Sequence, residues 1–318
     1  MTTVLVTGAN GYVGNNIVPK LVERGYTVRA QVRNMDVAKM RLSQYQDRVE
    51  FVQADVTDRV SLVALMHGVD VVIHLVAIAI EKGKATYEEV NYQGTINVVD
   101  AAKQAGIKRF INMSQNGASS ALPYLFLKSK GMAQEYVARS GMDWTALRPS
   151  AIFGTQDEFF NSIARLVQLT PIIFPLIGGG KAEFQPVSVL DVAEATVRCV
   201  DDETTIGKEL LLGGPEVLTL GEIEERILVA LGARRIWFPA PVGLLRLPVA
   251  IMETLLPGSP VTSSLLDLLA VPNVVKDNAL VNHFGMDPIP FKGEHIAYLR
   301  DNNVGDTLNI FFTGKKLK

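Results

Sequence analysis

Between Thr7 and Gly14 the chain reads Thr7-Gly8-Ala9-Asn10-Gly11-Tyr12-Val13-Gly14, directly after the β-branched run Val4–Thr7 and directly before a helical pattern. Glycines at this spacing let a tight turn form and let backbone approach a pyrophosphate at a helix N-terminus, where unpaired N–H groups and the helix dipole favour an anion. A second strand-like run, Thr27–Arg33, follows in the order and at the distance that a βαβ unit requires. A nucleotide-binding α/β domain is therefore the starting expectation. Gly8, Asn10, Gly11, Tyr12, Val13 and Gly14 are its first candidate contacts.

From Thr3 to Pro149, apolar β-branched runs alternate with longer helical stretches, the mark of a mostly parallel sheet. Six strands are predicted, at Val4–Thr7, Thr27–Arg33, Val49–Gln53, Val69–Leu75, Arg109–Met113 and Trp144–Arg148. Pro19 falls inside the first helix and predicts a kink there. Beyond Ser150 the alternation loosens into helices around Asn161–Leu169, Leu190–Val200 and Leu220–Leu231, separated by glycine- and proline-rich loops. The expected fold class is α/β, a Rossmann-type doubly wound parallel sheet with a smaller, mostly helical C-terminal domain. Residues 1–150 form the nucleotide domain. Residues 151–318 form the substrate or docking domain, part of whose chain returns to the sheet.

The 318 residues carry 31 Lys plus Arg against 33 Asp plus Glu, a balance without the basic footprint that a phosphate backbone needs, so nucleic acid is not an expected partner. The single cysteine, Cys199, has no thiol partner within the chain and reads as a buried, inert group. The longest apolar run, Val71–Ile80, contains His74 and is far shorter than the roughly 20 residues of a membrane span. A strand beginning almost at Met1 leaves no room for a leader. The expected location is cytoplasmic, with the inner face of a membrane as a peripheral alternative.

At the end of the second strand, where an NAD-selective site holds an acidic residue, the chain has Arg33. A guanidinium there suits a 2′-phosphate, so NADP(H) is favoured over NAD(H). Asp55, after the third strand, either meets the adenine edge or caps the next turn. Val56, Leu75, Ala77, Ser114 and Pro149 complete the candidate cofactor contacts.

The segments Asn91-Tyr92-Gln93-Gly94-Thr95, Lys108-Arg109-Phe110, Met113-Ser114, Ser129-Lys130 and Asp143-Trp144-Thr145-Ala146-Leu147-Arg148-Pro149, taken with the glycine motif, resemble the atypical and extended short-chain dehydrogenase/reductases. Within that superfamily, Ser114-Gln115-Asn116-Gly117-Ala118, Arg148–Gly154 and Phe184–Ala193 are similar to the branch containing the nucleotide-binding accessory subunit of respiratory complex I and its bacterial relatives. The resemblance implies a catalytic set: a tyrosine, a lysine four residues later, and a Ser or Thr from the loop after the fifth strand. The phenol would move the proton, the lysine would lower the phenol's pKa and hold the nicotinamide ribose, and the hydroxyl would orient the substrate.

Two registers compete for this set. Tyr124 with Lys128 has the required spacing, whereas counting back from Trp144 and Arg148-Pro149 aligns Lys130 with the family lysine and Phe126 with its tyrosine. Two residues rotate a side chain by about 200° around a helix, so only one pair faces the nicotinamide; Lys130 is favoured. The family hydroxyl then falls at Asn116, which can only hydrogen-bond. Lys130, Asn116 and Tyr124 are the candidate catalytic residues, and Asn91 either supports the site or lies on a helix surface.

His67, His74, His283 and His295 show no metal-ligand spacing, so no metal is expected, and His74 reads as a core histidine. Phe153, Phe159, Phe160, Phe174 and Phe184 are read as core, with an apolar substrate cleft as the alternative. The apolar stretch Phe238–Pro257 is likewise read as packed core, with an interfacial, partner- or membrane-contacting segment as the alternative. Lys315, Lys316 and Lys318 are expected to form a solvated tail. Three functions fit: an NADP(H)-dependent oxidoreductase acting on an apolar or quinone-like small molecule, a non-catalytic nucleotide-binding subunit of a membrane respiratory complex, and a nucleotide-sugar epimerase or dehydratase.

Overall fold

The computed structural model describes residues 1–255 and 262–314 and divides them into two compact units. The first is built from Met1–Pro149, Val189–Leu212 and Asp277–Met286, the second from Ser150–Ser188, Gly213–Lys276 and the chain from Asp287 onward. Lys315, Lys316, Lys318 and Pro257 lie outside the described residues.

In chain order the first unit begins with β1 (Thr3–Thr7), α1 (Gly14–Glu23), β2 (Thr27–Val32), α2 (Met35–Arg41), β3 (Val49–Gln53), α3 (Arg59–Leu65) and β4 (Val71–His74). A π-helical turn, Tyr87–Gln93, leads into α4 (Gly94–Gln104), then β5 (Arg109–Met113), α5 (Leu125–Ala138) and β6 (Asp143–Pro149). The second unit follows with β7 (Ile152–Phe153), α6 (Phe159–Leu169), β8 (Ile173–Ile177), β9 (Glu183–Phe184) and β10 (Val187–Ser188). The chain returns to the first unit as α7 (Val189–Arg198) and β11 (Lys208–Leu212). It continues in the second as β12 (Leu218–Thr219), α8 (Leu220–Ala230), β13 (Ile236–Ala240), α9 (Val242–Leu255) and α10 (Ser263–Leu268). A short α11 (Ala279–Asn282) belongs to the first unit; a 3-10 segment, Gly293–Asp301, and α12 (Val304–Thr313) close the second.

The main sheet has seven strands in the order β11-β6-β5-β4-β1-β2-β3, every pair parallel. The order reverses beside β1, the position where open α/β sheets bind their ligands. Both faces are covered. Leu5, Val72 and Phe110 pack with Leu62 and Leu65 of α3 and Val98 and Ala102 of α4, while Val4 and Val6, equally buried, point the opposite way by strand alternation. Near-continuous burial of this kind is why the strands read as apolar runs rather than alternating ones.

Six strands are where the sequence predicts them, with Thr27–Arg33 and Val69–Leu75 shortened to Thr27–Val32 and Val71–His74. The seventh, β11, pairs Leu210 with Leu147 and Leu212 with Pro149. α1 spans Gly14–Glu23 with Pro19 inside it. Partly buried Glu194 of α7 receives Lys20 at 3.1 Å and Arg24 at 2.5 Å from α1, with Arg198 at 2.7 Å on its own helix. These tie α1 to α7.

In the second unit Phe153, Phe160, Phe174 and Phe184 are buried with Phe291, the rings of Phe160 and Phe291 only 4.4 Å apart. They fill a core, with Phe159 partly buried against it, as the packing reading expects. Phe238–Pro257 goes the other way: Phe238, Leu244, Leu247 and Ile251 are exposed, and only one side of α9 packs inward. The stretch is therefore part core and part exposed, with Ala240 and Val249 buried and Val242 and Leu245 packed against the core. Glu224 of α8 is 1% exposed, and burial pushes its carboxyl up to about 8, so it is neutral at pH 7.

Candidate functional site

The glycine motif forms the turn between β1 and α1. Gly8 has a φ of +72°, a conformation that side chains avoid, and a Cβ on Gly14 would sit 2.5 Å from the carbonyl oxygens of Gly8 and Ala9. The loop is thus pressed onto itself, Gly11 N–H donating to Gly8 O at 2.9 Å. No side chain caps α1, and its Asn15 and Asn16 N–H groups donate to Gly11 O and Val13 O at 3.0 Å, so the glycine turn closes onto the start of the helix. These features fit a dinucleotide pyrophosphate.

Gln31, buried near the end of β2, holds this loop in place. Its Oε1 accepts the Gly8 N–H at 2.9 Å, its main-chain oxygen accepts from Ala9 at 3.2 Å, and its amide donates to Ala54 O beyond β3. Sequence reasoning missed it, because a glutamine in a strand carries no signal until its register against Gly8 is known. Arg33 stands just past β2, exposed, with its guanidinium engaged by no described residue. Arg41, at the end of α2, donates to Asn10 O at 2.7 Å and so brings a second guanidinium to the glycine loop. A basic residue in the last turn of the helix after β2 was the available sign.

Asp55 accepts from the Thr57 N–H at 2.9 Å and its hydroxyl at 2.8 Å, the turn-capping one of its two readings. Val56 is buried beside Gly94, and its carbonyl accepts from Asn97 at 2.9 Å. Leu75 N–H donates to Thr7 O at 3.3 Å, laying the chain after β4 against the glycine loop, and Ala77 beyond it is exposed. Pro149, ending β6, accepts from Asn116 N–H at 2.9 Å.

His74 is buried between two threonines, 2.7 Å from Thr7 Oγ1 and 3.0 Å from Thr95 Oγ1. The Thr95 hydroxyl is spent on Asn91 O at 2.7 Å, so it accepts from Nε2–H and Thr7 donates to Nδ1. Burial, with the Lys130 charge adding to it, pushes the imidazole down to about 3. It is a neutral, satisfied core histidine. Among the described residues no three His, Cys, Asp or Glu side chains gather as a metal site. Cys199 is buried, and burial raises its thiol to about 12.

The two registers on α5 are physically distinct. Lys130 is buried and donates to Met113 O at 2.6 Å, whereas Lys128 is exposed. Burial lowers the Lys130 ammonium to about 8. Tyr124 is the residue that precedes α5, and its carbonyl accepts from Lys128; it belongs to the register that does not carry the buried lysine. Phe126, one turn before Lys130, lies with its ring 5.7 Å from that of Tyr87. Ser114 is 4% exposed, and its Oγ has no hydrogen-bond partner among the described residues. Asn116 is buried nearby in sequence. Asn91 is a buried clip rather than a surface residue: it accepts from Ile78 N–H at 2.8 Å and donates to Ile78 O at 3.1 Å and Ser129 Oγ at 3.2 Å.

A family profile described as NAD(P)H-binding matches residues 8–203. The chain belongs to this NAD(P)H-binding family. It is 31% identical over 307 residues to the mitochondrial NADH dehydrogenase (ubiquinone) 1 alpha subcomplex subunit 9 of Arabidopsis thaliana, a match covering 92% of this chain and 76% of the relative. It is 30% identical over 264 residues to a 3 beta-hydroxysteroid dehydrogenase/Delta 5→4-isomerase of Mycobacterium tuberculosis, covering 73% and 70%. An Escherichia coli NADPH-dependent quinone oxidoreductase, solved with NADPH, superposes with a TM-score of 0.72 at 18% identity over 94% of this chain and 97% of that one. At that identity the similarity speaks for the fold. The relatives thus include a subunit of an NADH dehydrogenase and a hydroxysteroid dehydrogenase/isomerase, and similarity alone does not choose between them.

Proposed function

We propose that the protein is an NADP(H)-dependent oxidoreductase acting on a quinone-like, apolar small molecule. The observation that carries this reading is buried Lys130 with Phe126, in place of a phenol, one helical turn before it. Lys130 would hold the nicotinamide ribose, Ser114 Oγ would hydrogen-bond beside it, and the uncapped end of α1 would bind the pyrophosphate. The bound dinucleotide supplies the hydride. Reducing a ketone also requires a proton delivered to the alkoxide by a positioned acid, which neither Phe126 nor Asn116 can provide. A quinone avoids that requirement. Its two-electron product is a phenolate with a pKa near that of tyrosine, about 10, which water protonates without help. A nucleotide-sugar epimerase or dehydratase, by contrast, needs the proton carrier that Phe126 displaces.

Arg33 supports NADP(H) over NAD(H), since no acidic residue ends β2 and its guanidinium is free to meet a 2′-phosphate. Charge-assisted bonds of roughly 1.5–3 kcal/mol translate into about 10- to 100-fold in affinity. Arg33→Ala should weaken NADPH by that factor and NADH by less than twofold in a binding titration, with equal losses contradicting the assignment. Turnover is tested by NADPH oxidation with short-chain quinones against a ketone and steroid panel. The expected outcome is quinone reduction only.

The extent of the match to the respiratory subunit, 92% of this chain, favours a second reading as a non-catalytic nucleotide-binding subunit. Native mass spectrometry of protein purified gently from its host separates the two. Exchangeable NADP(H) on a small species supports the enzyme, and NADP(H) locked in a large membrane assembly supports the subunit.

A further inference from the structure

Among the described residues, the second unit exposes an apolar face. On the β8–β13 pair, Ile173 and Ile236 stand opposite each other in register, and with Phe238 they are 54%, 67% and 59% exposed. The helix that follows is apolar on both sides. Val242, Leu245 and Val249 of α9 pack into the core, while Leu244, Leu247 and Ile251, half a turn away, are 75%, 71% and 52% exposed. A helix apolar all round is normally buried all round. Here the two charges of α9 are turned to α10, Arg246 pairing with Asp267 at 3.0 Å and Glu253 accepting from Ser263 N–H at 2.9 Å. Leu244, Leu247 and Ile251 face outward, with Pro248, Ala250 and a half-exposed Arg246 beside them.

The rim of this face is cationic. Arg234 is exposed and Arg235 donates only to main-chain carbonyls, those of Val167, Thr170 and Arg234, so no described carboxylate neutralises either. Lys181, just beyond β8, is exposed and unpaired among the described residues. Arg246 is paired with Asp267 and the acidic residues beside these segments are Glu183 and Glu253, so the cations of this face without a described carboxylate partner are Lys181, Arg234 and Arg235.

We propose that this face is a membrane-docking surface for an anionic phospholipid bilayer, with α9 lying in the interface. An anionic bilayer meets both features at once, taking the apolar side chains at the acyl boundary and the free cations at its phosphates. A second copy of the chain, docked face to face, would set these cations against themselves. Nor does α9 cross: its 14 residues span about 21 Å against roughly 30 Å of hydrocarbon, and among the described residues no helix is long and apolar enough to traverse a membrane.

Cosedimentation with vesicles tests this, using mixed phosphatidylglycerol–phosphatidylcholine against phosphatidylcholine alone. The full-length protein should bind the anionic vesicles, lose binding as salt rises, and show a blue shift of Trp237 emission in a Trp144→Phe background. Leu247→Glu combined with Ile251→Glu should abolish binding while leaving the NADPH dissociation constant unchanged, which reports an intact first unit. Arg234→Ala, a surface change with no packing cost, should weaken binding about fivefold. Equal binding to both vesicle types, binding that survives the double substitution, or no binding by wild-type protein overturns the proposal. So does light scattering that shows a dimer which the double substitution dissolves, since the occupant would then be a second copy.

Discussion

Lys130 shows how a single side chain carries a cost that only a ligand repays. Its ammonium is buried, with Met113 O as its one described acceptor, and its pKa falls from 10.5 to about 8. Because the folded-state value lies below the unfolded one, the unfolded chain binds more protons between pH 8 and 10.5, so stability rises with pH through that window. At about 1.36 kcal/mol per unit the gain is up to about 3 kcal/mol. Lys130→Met should flatten that rise in the cofactor-free protein and stabilise it at pH 7, while weakening NADPH binding about tenfold. Denaturant titrations at pH 7 and 10 read the first effect and fluorescence titration the second. A variant that loses stability at pH 7 would mean that the ammonium is structural. The lysine was visible in the sequence by counting back from Trp144, because the strand and helix between carry no insertion. Gln31 was not, because its role depends on which backbone atom of Gly8 folds against it, and the basic last turn of α2 does not by itself show that Arg41 meets Asn10.

At the scale of elements, the cross-helix cluster at Glu194 decides where α7 sits. Burial acts to raise this carboxyl, but hydrogen bonds from Arg198 and Lys20 and the charges of Arg24 and Lys20 outweigh it, leaving it at about 2. With the folded pKa depressed below 4.5, the contribution is present above pH 4.5 and is lost as pH falls towards 2. Discounted for partial exposure, it amounts to about 1–2 kcal/mol. Glu194→Gln should therefore lower stability by that amount at pH 7 and leave it unchanged at pH 2, measured by urea unfolding at both. β1, β4 and β5 could be read directly because both of their faces are covered, which makes them apolar runs, whereas edge strand β3 exposes Glu50 and Gln53. β11 could not: Lys208 and Glu209 precede its three leucines, and a five-residue edge strand resembles the start of a loop. The exposed side of α9 was hidden for another reason. Hydrophobicity marks what would leave water given a partner, and the stretch Phe238–Pro257 reads the same whether that partner is core or membrane.

At the scale of the whole molecule, every residue assigned to the cofactor, from Gly8 to Pro149, belongs to the first unit. Binding energy is then stabilisation of that unit, by RT ln(1 + [L]/Kd), or about 2.7 kcal/mol at a hundredfold excess over Kd. For a unit of this size each kcal/mol moves the midpoint by roughly 2–4 °C, so saturating NADPH should raise its melting by about 5–10 °C. The second unit draws on a separate core, built around Phe160 and Phe291, and has no share in those contacts. Hydrogen exchange resolves the difference. NADPH should slow exchange at residues 8–14, where N–H groups of the loop and the start of α1 become bonded to phosphate, and in the first unit generally through its global opening. Residues 236–251 should exchange at the same rate with and without NADPH, and slow only when anionic vesicles are added. Protection of 236–251 by NADPH alone would show that the cofactor acts on the docking face. The two ligands would then be coupled, and each would raise the affinity of the other by the same factor.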